Sequence, residues 1–379
     1  MHDPRLSKLA QVLVRYSVGV KQDDLVRIKA SLGAEALVSA LYEEIVRAGG
    51  HPVVRMAPDA CAELLCKLGT NKQLQRLCPL DMHEVETINA HITVLASNNT
   101  KALSNADPTR LATISKARQP MLERFLRRAA AKGKKRLRWT GTQYPCQASA
   151  QDAEMSLAEY ADFVFRGGLL HLPNPVAAWK RIHVAQQRVC DHLNKAKQAR
   201  FIAPGTDLTL GIARRRWMNC SGHENFPDGE VFTGPIEDSA EGEVRFTYPA
   251  VYGGREVEGV RLKFKAGKVV DATADKNEDY LFKMMDQDKG ARYLGELAIG
   301  TNYAIKRFTK NTLFDEKIGG TFHVALGAGY PETGSKNKSG LHWDMVCDLR
   351  KGGRIEADGK VILKNGRFTR ASWPKPARA

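Results

Sequence analysis

At 379 residues the chain is longer than one hydrophobic core usually supports, so two domains are expected. Hydrophobic residues make up 43% and charged residues 26%, which excludes a disordered or fibrous class and fits an ordinary soluble globular protein. The formal charge of +16 admits a polyanionic partner, so nucleic acid enters as a candidate.

Leu6, Leu9, Ala10, Leu13 and Tyr16 recur at helical spacing and predict an opening helix that ends near Gly19. MHDPRLSKLAQVLVRYS lacks the apolar stretch and small-residue cleavage site of a secretory signal. No apolar run reaches the roughly 18 residues of a membrane span. A cytoplasmic protein with no membrane partner is expected. DLVRIKAS then reads as a buried strand, GAEALVSALYEEIVRAGG as a helix closed by Gly-Gly, and HPVVRMA as a second strand. Strand, helix, strand in that order implies a parallel pair.

Helical patterns continue from Leu64 to Leu77, and HITVLAS supplies a further strand from His91 to Ser97. Asp107-Pro108 ends a polar loop and caps a long basic helix from Thr109 to Ala131, after which RLRWT is a short strand. No Gly-x-Gly-x-x-Gly follows the first strand, which leaves a dinucleotide without support. Ser156 through Ala199 is helical, broken at Gly167-Gly168 and Pro173 to Pro175. From Phe201 onward short alternating runs joined by glycine-containing turns (DLTLGI, EVRFTYPAV, VEGVRLKFKAGKVVDATA) indicate an antiparallel β-rich domain. A single helix from Asn277 to Lys289 interrupts it. ADGK and KNGR mark hairpin turns in the tail. The expected organisation is therefore an N-terminal α/β domain with parallel strands over residues 1–200 and a C-terminal β-rich domain over 201–379.

Seven cysteines, scattered and never in a C-x-x-C pair, read as free thiols rather than a zinc finger or a disulfide framework. The basic residues gather in LERFLRRAAAKGKKRLRW and between Lys180 and Arg200, both helical faces without interleaved aromatics. A solvated basic surface is expected there, and nucleic acid is set aside as a partner.

Chemistry-bearing residues concentrate between Phe314 and Arg350. Imidazole and carboxylate together suit zinc, manganese, cobalt or iron. In His342-Trp343-Asp344 the two polar side chains are separated by one residue, so on a strand they share a face. His323 follows Gly319-Gly320, Glu316 precedes them, and Tyr330 and Glu332 sit in GYPETG. Upstream, Glu230 and Glu296 stand where strands meet Gly- or Pro-marked turns. Read singly, each of these is an ordinary core, turn or surface residue as readily as a ligand.

The segments GEVFTGP, GELAIGTN, LFDEKIGGTFHVALGAGYPETG and NKSGLHWDMVCDLR, in that order, resemble the signature blocks of the thermophilic metalloaminopeptidase family, the group of aminopeptidases T and S. ASNNTKALSNADPTR and ADGKVILKNGRF extend the resemblance over nearly the whole chain. The resemblance implies a homodimeric exopeptidase acting on peptides with a free N-terminus, whose C-terminal domain carries two divalent ions of zinc, cobalt, manganese or magnesium. It also implies that Glu230, Glu296, Glu316, His323, His342 and Asp344 are the metal ligands, that Glu296 doubles as general base, and that Tyr330 is the catalytic tyrosine; Glu332, beside it, is a candidate partner for the substrate amine. Two other classes share these residues: a metal hydrolase acting on another amide or ester, and a non-catalytic polyanion-binding protein on the same fold.

Overall fold

Asp3 and Pro4 start the first element. In the computed structural model, which describes residues 3–376, the Asp3 side chain accepts a hydrogen bond from the Arg5 amide and Pro4 takes the first helical position of Pro4–Gln11. The helix continues through a wider turn at Val12–Ser17 and buries Leu6, Leu9, Leu13 and Tyr16, the stripe its spacing predicts.

The chain divides into two units, Met1–Val176 with Gly222–Pro227, and Ala177–Ser221 with Asp228–Ala379. In the first, β1 (Leu25–Ser31), β2 (His51–Ala57), β3 (Ala90–Leu95) and β4 (Arg138–Gln143) join the short strand Asn225–Phe226 in a sheet ordered β2-β1-β3-β4 and then Asn225–Phe226. Every pairing is parallel. The helix Glu35–Arg47 joins β1 to β2 and buries Leu37, Val38, Leu41 and Ile45. The region read as helical between Leu64 and Leu77 is two helices, Ala60–Leu68 and Asn71–Leu74, followed by a third, Pro79–Thr87.

The basic helix runs Pro108–Ala129, capped by Asp107 as its sequence predicts, and buries no residue outright. Part of its charge nevertheless has a structural use. Arg128 donates to the carbonyls of Val85 and Ile88 at 2.8 and 2.7 Å, and Arg110 to those of Cys66 and Gly69. These are carbonyls at the C-terminal ends of the two neighbouring helices, which lack partners within their own helix and favour a nearby cation.

The second unit is β-rich. Its eight-stranded sheet runs in space Lys268–Thr273, Arg261–Lys265, Glu241–Arg245, Thr206–Gly211, Gln198–Ala203, Arg354–Ala357, Lys360–Lys364, Arg367–Phe368. The tail hairpins turn at Asp358-Gly359 and Asn365-Gly366, all with positive φ, the geometry for which such pairs are selected. EVRFTYPAV is not one strand: it breaks between Glu241–Arg245 and Ala250–Tyr252. A five-stranded antiparallel sheet packs against the large one, with the rings of Phe201 and Phe322 tilted at 31° to each other and 4.5 Å between centres. No helix among the described residues is long and apolar enough to cross a membrane.

His91 on β3 is 5% exposed. Its Nδ1 lies 3.1 Å from Arg27 Nε and 3.3 Å from the Arg27 carbonyl oxygen, and its Nε2 lies 2.9 Å from Thr93 Oγ1. Burial first, and the Arg27 guanidinium second, pull its pKa from the ordinary 6.5 down to about 3. A depressed histidine pKa means that below pH 6.5 only the unfolded chain takes up the proton, so stability falls with pH from there until about 3. One pH unit below 6.5 the loss is about 1.4 kcal/mol. Urea unfolding at pH 7.5 and 5.5 should show this loss in wild type and a smaller one in His91→Gln. An equal loss in both proteins would show that another group titrates.

Candidate metal centre

The five-stranded sheet is ordered in space His342–Asp348, Thr321–Gly327, Leu294–Gly300, Glu230–Thr233, Met218–Cys220. Its register decides where the polar side chains go. Glu230 lies opposite Gly300, Ala298 opposite His323, Ala325 opposite both Glu296 and Asp344, and Gly327 opposite His342. Opposed residues on paired strands share a face and alternate residues take the other, so Glu230, Glu296, His323, His342 and Asp344 all emerge on one side. The intervening residues, Val231, Leu297, Phe322, Val324, Trp343 and Met345 among them, enter the apolar core on the other. Ala298, Gly300, Ala325 and Gly327, the remaining residues at those paired positions, are too small to fill the space between the polar side chains.

Glu316 arrives from outside the sheet. Asn311 caps the single turn Thr312–Asp315, and Asp315 Oδ1 accepts from the amide and hydroxyl of Thr309 at 2.7 and 3.0 Å. Glu316 ends that turn and Lys317 follows. At Gly320 the chain takes φ +88°, where an added Cβ would lie 2.6 Å from the Gly366 carbonyl oxygen, so only glycine lets it turn back into the His323 strand.

The resulting cluster is buried. Glu230 is 4% exposed, Glu296 5%, His323 0% and Lys317 1%. His323 Nε2 lies 3.4 Å from Glu296 Oε1 and 3.5 Å from Glu230 Oε2, and His342 Nε2 lies 3.5 Å from Glu296 Oε2 and from Asp344 Oδ2. Four donors bound at about 2.1 Å around one tetrahedral ion are about 3.4 Å apart, which these separations match. Glu230 Oε2, both His323 nitrogens and Asp344 Oδ1 are buried without a well-aligned hydrogen bond, although buried polar atoms ordinarily have one. Two groups of donors, Glu230 with Glu316 and His323, and Glu296 with His323 and Asp344, each lie within 4.8 Å of one another. The residues present fit a divalent cation.

Charge explains the protonation pattern. Burial pushes the Glu230 carboxyl up to about 7 against the pull of Lys317, and burial with the charges of Glu316 and Glu296 lifts Asp344 well above the carboxylate range. Burial alone would lower His323, but Glu296, Glu230 and Glu316 outweigh it and raise its pKa. Each is the response of an anionic pocket that favours cations.

Tyr330 begins the turn after the His323 strand, 42% exposed. Its ring meets the edge of His342 and of Phe232, each at 5.4 Å between centres, so it stands at the open side of the cluster. Glu332 is exposed on the turn Pro331–Thr333 and is not among the carboxylates gathered here. Two contributors were not picked out from the sequence. Lys317 Nζ donates to Glu230 Oε1 at 2.5 Å and Glu316 Oε2 at 2.9 Å. Gln186, fully buried, donates to the carbonyls of Glu230 and Cys220, each at 2.8 Å, and accepts from the Thr301 hydroxyl at 3.0 Å. Gln186 sits on the helical stripe of Val189, Cys190 and Leu193, and a glutamine on an apolar stripe is a readable signal. A lysine in a polar turn is not.

Known proteins resemble this chain along most of its length. The chain is 28% identical to aminopeptidase AmpS of Bacillus subtilis (strain 168), over 96% of this chain and 98% of that protein. It is 27% identical to aminopeptidase T of Thermus aquaticus, over 95% of each. The solved structure of wild-type AmpT from Thermus thermophilus superimposes with a TM-score of 0.83 at 25% identity, covering 96% of this chain and 99% of that one. Residues 2–368 match the model of the thermophilic metalloprotease (M29) family, and the chain belongs to that family of metal-dependent peptidases.

Proposed function

We propose that the chain is an aminopeptidase whose second unit holds the catalytic metal between Glu296, His323, His342 and Asp344, with Glu230 beside them. The observation that carries this reading is the convergence of these donors, several with unpaired buried atoms, on one face of a sheet in a chain of the M29 family. Imidazole and carboxylate donors suit zinc, cobalt or manganese. The second ion implied by the family resemblance would draw on Glu230 and Glu316. A homodimer in the cytoplasm completes the reading, and the seven cysteines, none of them in a disulfide, suit a reducing compartment.

A bound divalent ion lowers the pKa of a coordinated water and polarises the scissile carbonyl. Glu296 takes the proton released as the water oxygen bonds to the carbonyl carbon, and delivers it to the amine nitrogen as the C–N bond breaks. Tyr330 remains protonated, because burial and then the charges of Glu296 and Asp344 raise its pKa. Its hydroxyl donates to the developing oxyanion. The free α-amine of a peptide is a cation or a metal donor and so finds a partner in an anionic pocket, whereas an internal peptide bond offers no such group.

Amino-acid p-nitroanilides and short peptides test the reading. Chelation should abolish turnover, and Zn²⁺, Co²⁺ or Mn²⁺ should restore it; undiminished activity in the chelated protein would end the metal mechanism. Glu296→Gln should lower kcat by about 10²–10⁴ and Tyr330→Phe by about 10²–10³, both with unchanged circular dichroism. Wild-type rates in either variant remove that residue from its role. Light scattering should give twice the chain mass.

Gln186→Leu tests the support behind Glu230. It leaves buried carbonyls unpaired, at roughly 1–3 kcal/mol for each group, and should weaken metal binding about 10–100-fold. Calorimetric titration with Zn²⁺ and a thermal melt read the two effects, and unchanged affinity would confine Gln186 to packing.

A further inference from the structure

The Glu230–Glu316 half of the cluster already contains a cation. Lys317 Nζ lies 2.5 Å from Glu230 Oε1 and 2.9 Å from Glu316 Oε2, and its side chain is 2% exposed. Charge-assisted bonds of this length from a desolvated ammonium are strong and directional. Glu230 and Glu316 each spend one carboxylate oxygen on it. The donor groups that could hold an ion away from Glu296 and Asp344 are Glu230 with Glu316 and His323, and Cys220 with Asp228 and Glu230. Both need Glu230, whose Oε1 faces the ammonium.

The other half differs. Glu296, His323, His342 and Asp344 lie 3.4–3.5 Å apart in successive donor pairs, and no lysine or arginine stands among those contacts. Glu230 Oε2, the oxygen turned away from Lys317, is 3.5 Å from His323 Nε2, so the lysine aims that carboxylate at the remaining site. Glu230, Glu296, Glu316 and Asp344 against one ammonium leave a net three negative charges when all are ionised; one dication reduces this to a single negative charge, so the ammonium and one ion together already offset most of the buried charge.

We propose that this chain holds one metal ion rather than two, and that the Lys317 ammonium permanently occupies the second cation position, with Glu230 and Glu316 as its counter-ions. The inference rests on the metallopeptidase reading and deepens it. Lys317 neutralises and orients, but it carries no vacant coordination position, so water activation falls to the single ion and to Glu296.

The test is a count of bound ions in the full-length protein. Stripped with a chelator, reloaded with a modest excess of Zn²⁺ or Mn²⁺ and desalted, wild type should retain one ion per chain by mass spectrometry. Lys317→Gln should retain two, because Glu230 and Glu316 regain both oxygens. Two ions in wild type, or one in a folded Lys317→Gln, would overturn the proposal. Should the variant fail to fold, anomalous scattering from Mn²⁺-loaded wild-type crystals decides. One peak is expected among Glu296, His323, His342 and Asp344, with Nζ still on Glu230 and Glu316; a second peak there refutes the proposal. No bound ion at all would overturn the metallopeptidase reading together with this one, whereas two ions in an active, chelator-sensitive enzyme would overturn this one alone.

Discussion

Four carboxylates within reach of one another, Glu230 and Glu296 buried and Glu316 and Asp344 half-buried, are the constraint on which the second unit depends. A pair of like charges 4 Å apart costs about 4 kcal/mol at the effective dielectric of a protein site, and desolvation adds to it. Glu230, Glu296, Glu316 and Asp344 are tolerable only where cations or shared protons compensate them. Lys317 compensates one pair directly. His323, drawn toward its charged form by its neighbours, and the raised pKa of Asp344 absorb part of the rest. The pocket is an electrostatic sink that the fold must hold open against its own repulsion.

What holds it open is a sheet with two unlike faces. The strands that point Glu296, His323 and Asp344 one way send Leu297, Val324 and Met345 the other, into a core shared with the eight-stranded sheet. Turning any of these polar side chains away would turn its apolar neighbours out of that core, because slipping the register by one residue exchanges the faces. Ridding the pocket of its repulsion by local rearrangement therefore conflicts with core packing. Gln186 adds a second tie, since the Glu230 carbonyl is bonded from a helix outside the sheet.

This division of labour also explains which parts were legible in the sequence. The parallel strands of the first unit, the capped helix at Asp107-Pro108 and the tail hairpins follow from local pattern and turn chemistry, and they stand as read. The shared face of His342 and Asp344 follows from the two-residue strand period. That Glu230, Glu296 and His323 join them depends on register between strands far apart in the chain, which no local pattern encodes; only the family resemblance placed them together. The break in EVRFTYPAV and the split helices near Leu64 were not legible, because tertiary packing decides where a run of compatible residues stops. The sequence marks the basic helix as a solvated face, and composition does not reveal that Arg110 and Arg128 cap neighbouring helices.

Lys317 is the extreme case. Lysine is among the residues least often buried, so a reading by type assigns it to solvent, yet burial here follows from its two partners. An ammonium and a divalent ion solve the same electrostatic problem differently. The ammonium is covalently tethered, cannot be removed by a chelator and donates hydrogen bonds in fixed directions. The divalent ion brings twice the charge and open coordination positions but must be acquired from solution. A site that places a tethered cation in one half and leaves unpaired donors in the other keeps Glu230 and Glu316 oriented whether or not the ion is bound. An incoming divalent ion would then meet a pocket already partly compensated and shaped, and its added charge would be available for water and substrate rather than for restraining the carboxylates around it.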